Sequence, residues 1–235
     1  KLLTGYEHIH LLPKKQNKKM IYVGQLVRSQ FIKLSEKKPL TYDQNLNKKS
    51  FNILVLGGSQ GAKIFGEKLA ERFLSIAKKK INLSIDQQAQ QNQISGIKNY
   101  YEKNISALKI NNKEILLHFN LFTFSNQIEE FVKKADIVIC RSGSSTLSEL
   151  ASANKPFIAV PLINSLDNHQ YHNAKYYLDH DCCWLVEDND NMGYKIETII
   201  ENIARDKSIL EKKIKNLYQL KKGNPIQNFI NQITN

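Results

Sequence analysis

The chain has 235 residues, 41% of them hydrophobic, enough for one large packed domain or one domain with part of a second. Its formal charge is +12, but only four of its 34 basic residues are arginine, and the lysines scatter along it; a solvated basic surface is expected and no nucleic-acid partner. No run reaches the about 18 apolar residues of a membrane span, no secretory leader is expected, and three cysteines make no disulfide framework, which favours a reducing cytoplasm. The histidines and cysteines show no metal-ligand spacing, so neither metal nor cofactor is expected. The first residue is Lys1 rather than Met, which points to a fragment or a processed chain.

Short β-branched apolar runs alternate with helical periods, a pattern that predicts an α/β fold: a doubly wound parallel sheet covered on both faces. Residues 1–32 carry one predicted strand, Met20–Val23, too little for a domain, and read as the remnant of an N-terminal domain. Residues 33–50, rich in Lys and Asn and without period, read as a linker. From residue 51 the alternation is regular. Strands are predicted at Asn52–Leu56, Ile81–Ile85, Ile115–Phe119, Ile137–Cys140, Phe157–Val160 and Cys183–Val186. Helices are predicted at Ala62–Ala77, Ile94–Leu108, Ser125–Lys133, Thr146–Ala153, Asn168–His180, Lys195–Ala204 and Ser208–Lys221, with a last short one at Pro225–Ile233. The glutamine-rich stretch Asp86–Gln93 reads as a surface loop.

Two strand–glycine turn–helix units stand out. Gly57-Gly58-Ser59-Gln60-Gly61 follows a strand and lets backbone approach an anion without a Cβ clash. The second, Cys140-Arg141-Ser142-Gly143-Ser144-Ser145-Thr146-Leu147-Ser148-Glu149, runs from a buried strand through small residues into a helix. The first N–H groups of such a helix have no intrahelical partner, and the positive end of its dipole lies behind them, which suits a diphosphate. Glu149, one turn in, is placed to accept hydrogen bonds from ribose hydroxyls; its alternative is a capping box with Thr146 as N-cap. Arg141, directly after a buried strand, is expected at the ligand-binding edge of the sheet rather than facing the core. After Phe157–Val160, Asp167, Asn168, His169 and Gln170 offer more donors and acceptors than a helix start needs and suit sugar hydroxyls.

Gly57–Ala62, Ala135–Glu149 and Asp167–Ala174 together resemble the C-terminal half of the MurG-type glycosyltransferases, the UDP-N-acetylglucosamine:lipid I transferases of bacterial peptidoglycan synthesis. Gly24-Gln25-Leu26-Val27-Arg28 resembles that family's Gly-Asn-Pro-Val-Arg at the junction of its two domains, with Gln-Leu replacing Asn-Pro. The resemblance implies two Rossmann-like domains across a cleft (the GT-B architecture), with residues 51–235 the UDP-sugar-binding one. It implies that Arg28 and Ser59 contact the nucleotide-sugar through its phosphates, and that Ser125, where the family has isoleucine, offers backbone to the uracil. Gly143, Ser144, Ser145, Thr146, Leu147 and Ser148 would wrap the diphosphate, Glu149 would hold the ribose, and His169 and Gln170 the GlcNAc hydroxyls.

The reaction implied is an inverting, metal-independent transfer of GlcNAc from UDP-GlcNAc to lipid I, giving lipid II. Its general base, its acceptor site and its contact with the cytoplasmic face of the inner membrane would all belong to an N-terminal domain outside this sequence. Two other readings fit the same motifs: the cytosolic subunit of a split UDP-GlcNAc transferase acting with a membrane partner, and a non-catalytic UDP-sugar-binding module.

Overall fold

The computed structural model describes residues 1–7, 13–35, 50–108, 117–163, 165–221, 223 and 225–234. Its centre is a six-stranded parallel sheet of β3 (Phe51–Leu56), β4 (Leu83–Gln88), β5 (Leu117–Phe122), β6 (Ile137–Cys140), β7 (Phe157–Ala159) and β8 (Cys183–Leu185). The spatial order is β5-β4-β3-β6-β7-β8, the doubly wound arrangement in which the chain starts at the middle and winds outward both ways. The register sets Ile53 beside Ile85 and Ile137, and Leu56 beside Cys140.

These strands read as unbroken apolar runs because both faces are covered. Ile53, Val55, Ile137, Ile139 and Ile158 face a core shared with α3 (Gly58–Lys68), α4 (Ala70–Lys78), α5 (Gln91–Leu108) and α9 (Met192–Arg205). Leu54, Val138, Cys140, Phe157 and Ala159 face a second core, under α6 (Ile128–Lys134), α7 (Ser144–Ser152), α8 (His169–Asp179) and α10 (Ser208–Leu220). All three cysteines are buried in this second core as free thiols. An ion-pair group joins α4 to α9: Glu197 accepts from Arg72 at 3.4 Å, Lys79 at 3.0 Å and the Ser75 hydroxyl at 2.6 Å.

Several boundaries differ from the sequence reading. The helix expected over Ala62–Ala77 begins at Gly58 and breaks into two at Leu69, where φ is −97°; no glycine or proline marks that position. Strand β4 extends through Asp86–Gln88, and α5 starts at Gln91, so the expected polar loop is mostly regular structure. Gln87 takes the inward position after Leu83 and Ile85, and its side chain is fully buried; a polar residue at a core position hid the end of the strand. Strand β5 runs to Phe122, while Ile115 and Leu116 lie outside the described residues.

The N-terminal segment holds more than one strand. Leu2–Thr4 (β1) pairs in parallel with Met20–Tyr22 (β2) as a separate two-stranded sheet, with the single-turn helix α1 (Lys14–Asn17) between them. A further helix, α2 (Ser29–Ser35), buries Phe31 in the same core as Leu54 and Leu147. Residues 33–35 of the expected linker therefore belong to α2, and 36–49 lie outside the described residues. The last helix, α11 (Pro225–Thr234), returns to this segment: Asn228 Nδ2 donates to the Val23 carbonyl at 3.4 Å, and Lys1 Nζ to that of Gln232 at 3.2 Å.

Candidate functional site

Strands β3 and β6 lie side by side, and the chain leaves them toward opposite ends of the sheet, which opens a crevice beyond their C-terminal ends. Both glycine turns sit there. Gly58 has φ +61°, a left-handed value that a side chain disfavours, and a Cβ added there meets nothing within 4 Å. The backbone, rather than packing, requires glycine at this position. The Gly58 N–H donates to Gln88 Oε1 at 3.1 Å, and Gln88 Nε2 donates to the Thr123 carbonyl at 3.1 Å, so one side chain ties the turn to the end of β5.

Across the crevice, Gly143 is the N-cap of α7, in extended conformation and with no side-chain cap. The first intrahelical bond runs from the Leu147 N–H to the Gly143 carbonyl at 3.0 Å. The amides of Ser144, Ser145 and Thr146 precede it, at the positive end of the helix dipole. Between the two turns lies an open cleft of about 470 Å³ whose walls include Arg28, Gly58, Ser125, Thr146, Glu149 and Gln170.

Arg28 and Glu149 meet directly. Arg28 Nε donates to Glu149 Oε1 at 2.6 Å and Nη2 to Oε2 at 2.9 Å, a bidentate pair. The guanidinium lies 4.9 Å from the centre of the Phe31 ring, and its hydrogen bond to the carboxylate holds it above its ordinary value. The Glu149 side chain is 14% exposed and that of Arg28 52%, so the carboxylate is fixed in the wall while the arginine is open to the cleft. This arrangement replaces the capping box. Helix α7 begins two residues before Thr146, which places Glu149 beyond the first turn, turned toward Arg28.

Arg141 stands at the ligand edge as expected, in the cleft wall, but it is nearly buried there. Its side chain is 11% exposed, and Nη2 pairs with Asp188 Oδ2 at 2.8 Å. Nη1 donates to the carbonyls of Val160 and Pro161, both at 3.3 Å, and the guanidinium lies 5.3 Å from the Phe65 ring centre. The residue borders the cleft from below but is chiefly a tie between the ends of β6 and β7 and the loop after β8. The small Gly57-Gly58 turn and the flat Phe65 ring leave space for an arginine to fold under the sheet edge.

The other expected residues separate into two groups. Gly143, Thr146, Ser125 and Gln170 line the cleft, whereas Ser59, the second residue of α3, is not among its described walls. Ser144 and Ser145 are exposed at the tip of α7. Leu147 and Ser148 are buried on the helix's other side, where Ser148 Oγ donates back to the Ser144 carbonyl at 2.6 Å. Gln170 Oε1 accepts from the Leu162 N–H at 3.0 Å, whereas His169 is exposed, with Nδ1 on the Leu166 carbonyl at 2.8 Å. Asp167 and Asn168 adopt consecutive left-handed conformations, with φ of 49° and 51°, and it is this turn that starts α8.

Sequence reasoning missed Gln88, Phe31 and Asn173. Gln88 would have been found had β4 been extended to its true end. Phe31 lies in a helix too short to show a period. Asn173 Nδ2, one helical turn after Gln170, holds the Ser142 carbonyl at 3.1 Å and so steadies the second glycine turn.

The profile described as Glycosyltransferase family 28 C-terminal domain matches residues 52–233, the whole six-stranded sheet and the helices that cover it. The chain belongs to glycosyltransferase family 28. A relative of this family 28 domain in Rickettsia bellii, named UDP-N-acetylglucosamine--N-acetylmuramyl-(pentapeptide) pyrophosphoryl-undecaprenol N-acetylglucosamine transferase, is 33% identical over 224 residues, which are 94% of this chain and 59% of that protein. A protein of the same name in Pelagibacter ubique is 31% identical over 91% of this chain and 55% of its own length. The chain thus spans under two thirds of the curated relatives it matches. Among solved structures, MurG of Acinetobacter baumannii superposes with a TM-score of 0.70 at 24% identity, over 90% of this chain and 56% of that one, and shares the family 28 fold.

Proposed function

We propose that this family 28 domain binds UDP-GlcNAc in the cleft between its two glycine turns. In this reading it is the donor-binding half of an enzyme that transfers GlcNAc to the MurNAc C4 hydroxyl of lipid I, making lipid II for peptidoglycan. The observation that carries this is the convergence, at the switch point of the sheet, of the Gly58 turn, the uncapped N-terminus of α7 and the Arg28–Glu149 pair. A diphosphate fits the first two, and a carboxylate fixed in the wall fits ribose hydroxyls. The names of the Rickettsia and Pelagibacter relatives support the choice of sugar nucleotide.

In this reading the diphosphate lies against the amides of Gly143 to Thr146 and the start of α3 at Ser59, and Ser125 backbone meets the uracil. Gln170, in the cleft wall, takes the sugar contact ahead of the exposed His169. The helix dipole and Arg28, drawn from Glu149 toward the phosphates, stabilise the negative charge that grows on UDP as the glycosidic bond breaks. Deprotonation of the acceptor hydroxyl falls to an acceptor half, of which the N-terminal segment is the end, joined through the stretch after α2 to the donor domain at 51–235. That half also brings the enzyme to lipid I at the cytoplasmic face of the inner membrane; no described helix of this chain is long and apolar enough to cross one.

Calorimetric titration with UDP-GlcNAc, and with UDP-glucose and ATP as controls, tests the reading. Saturable binding of UDP-GlcNAc, with UDP-glucose weaker and ATP weaker still, is the expected result. A folded chain that binds none of them, or all three alike, would overturn it.

A further inference from the structure

The cleft is walled by strand ends that do not pair with each other. One wall holds the Gly58 turn after β3, and another the stretch 123–126 after β5, which supplies Phe124, Ser125 and Asn126. In the reading above these are the phosphate end and the base end. Strand β4 lies between β3 and β5, so no ladder hydrogen bond joins the two ends directly. Neither end is fixed by close packing: a Cβ at Gly58 would meet nothing within 4 Å, and Phe124 is 74% exposed.

Gln88 is the last residue of β4. The ladder with β3 stops one residue earlier, at Gln87 beside Val55, and the ladder with β5 stops at Gln88 beside Phe122. Beyond those points the Gln88 side chain takes over from the backbone. Its Oε1 accepts from the Gly58 N–H and its Nε2 donates to the Thr123 carbonyl, both at 3.1 Å. A side-chain amide carries an acceptor and donors on one planar group, so it can hold a strand end on either side. Gln87 turns the other way and is fully buried, whereas Gln88 is half-buried and in the cleft wall. The brace thus stands beside the ligand space rather than behind it.

We propose that Gln88 is a positioning residue that sets the distance between the two ends of the cleft, and that this spacing selects an intact nucleoside diphosphate over its parts. A ligand that reaches both ends gains from its second contact only where the ends already stand at the right distance. One that reaches a single end gains nothing from the brace. Loss of Gln88 therefore weakens the whole nucleotide and spares uridine and pyrophosphate. This role rests on the nucleotide-binding reading above and separates what each end contributes from what their spacing contributes.

NMR titration of the full chain with UDP-GlcNAc, uridine and inorganic pyrophosphate tests this role, in the native protein and in Gln88→Met and Gln88→Asn. Methionine keeps the length without either hydrogen bond, and asparagine keeps the amide but is one methylene too short to reach both partners. Two lost hydrogen bonds should raise the UDP-GlcNAc Kd about tenfold or more in both variants. The Kd values for uridine and pyrophosphate should stay within about twofold of native. In Gln88→Met the Gly58 amide should also exchange faster with solvent. An unchanged UDP-GlcNAc Kd, all three ligands weakened alike, or a native chain that binds neither part would each overturn the role. Loss of the native amide spectrum in both variants would make Gln88 a structural tie and overturn it as well. A native chain that binds none of the three ligands would overturn the nucleotide reading itself, whereas equal UDP-GlcNAc binding by native chain and variants would overturn the role of Gln88 alone.

Discussion

Replacing Glu149 by alanine removes both oxygens that hold Arg28 at 2.6 and 2.9 Å. Two costs follow, and they differ in size. The pair has one half-exposed partner, and pairs of that kind contribute about 0.2–1 kcal/mol to folding. For a chain of this length 1 kcal/mol corresponds to about 2–4 °C in Tm. The carboxylate itself is nearly buried and aimed into the cleft, so nucleotide binding loses hydrogen bonds to a charged group, each worth about 1.5–3 kcal/mol. At 1.4 kcal/mol per tenfold, UDP-GlcNAc affinity should fall about 10- to 150-fold. Calorimetry measures the second effect and a thermal melt of the same sample the first. Arg28→Ala and the double variant complete a cycle, in which the two losses should be strongly non-additive because the residues touch. A Tm drop well beyond 4 °C with unchanged affinity would refute this reasoning and make Glu149 a structural tie.

Other expectations are as direct. Gly58→Ala forces a side chain into a left-handed conformation at φ +61°, at a cost of about 1–2 kcal/mol; a urea titration should show that loss, and UDP-GlcNAc should bind more weakly to the displaced turn. The Arg141–Asp188 pair is almost wholly buried, so Arg141→Ala or Asp188→Ala alone should destabilise by about 3–5 kcal/mol in denaturant unfolding. The double variant should cost clearly less than the sum, and simple additivity would contradict a direct pair. Burial raises the thiols of Cys182 and Cys183 to about 12 and that of Cys140 further. Folding thus favours the protonated thiols: this contribution is fully present below the unfolded value of about 8.5 and is lost as pH climbs toward 12. Unfolding free energy measured from pH 8 to 11 should fall more steeply for the native chain than for a Cys140→Ala, Cys182→Ala, Cys183→Ala variant, and equal slopes would refute the assignment.

The sequence by itself determined the parallel sheet and the two turns that make its ligand edge. Runs such as Ile53-Leu54-Val55 and Ile137-Val138-Ile139 are apolar at every position only when both faces of a strand are covered, and glycines directly after them mark where backbone must turn sharply. Such signals are local, carried by neighbouring residues. What the tertiary structure decided was non-local. Residues 28 and 149 stand 121 positions apart, and nothing in either neighbourhood says that they pair. Arg141 reads from the sequence as a residue of the ligand edge, and only the fold shows Asp188 and the Val160 carbonyl around it. Gln87 and Gln88 read as loop, because a strand end that buries one glutamine and uses the next as a brace has no hydrophobic period. A second cavity, behind α7, was illegible because its walls come from five separate stretches of chain that only the fold brings together.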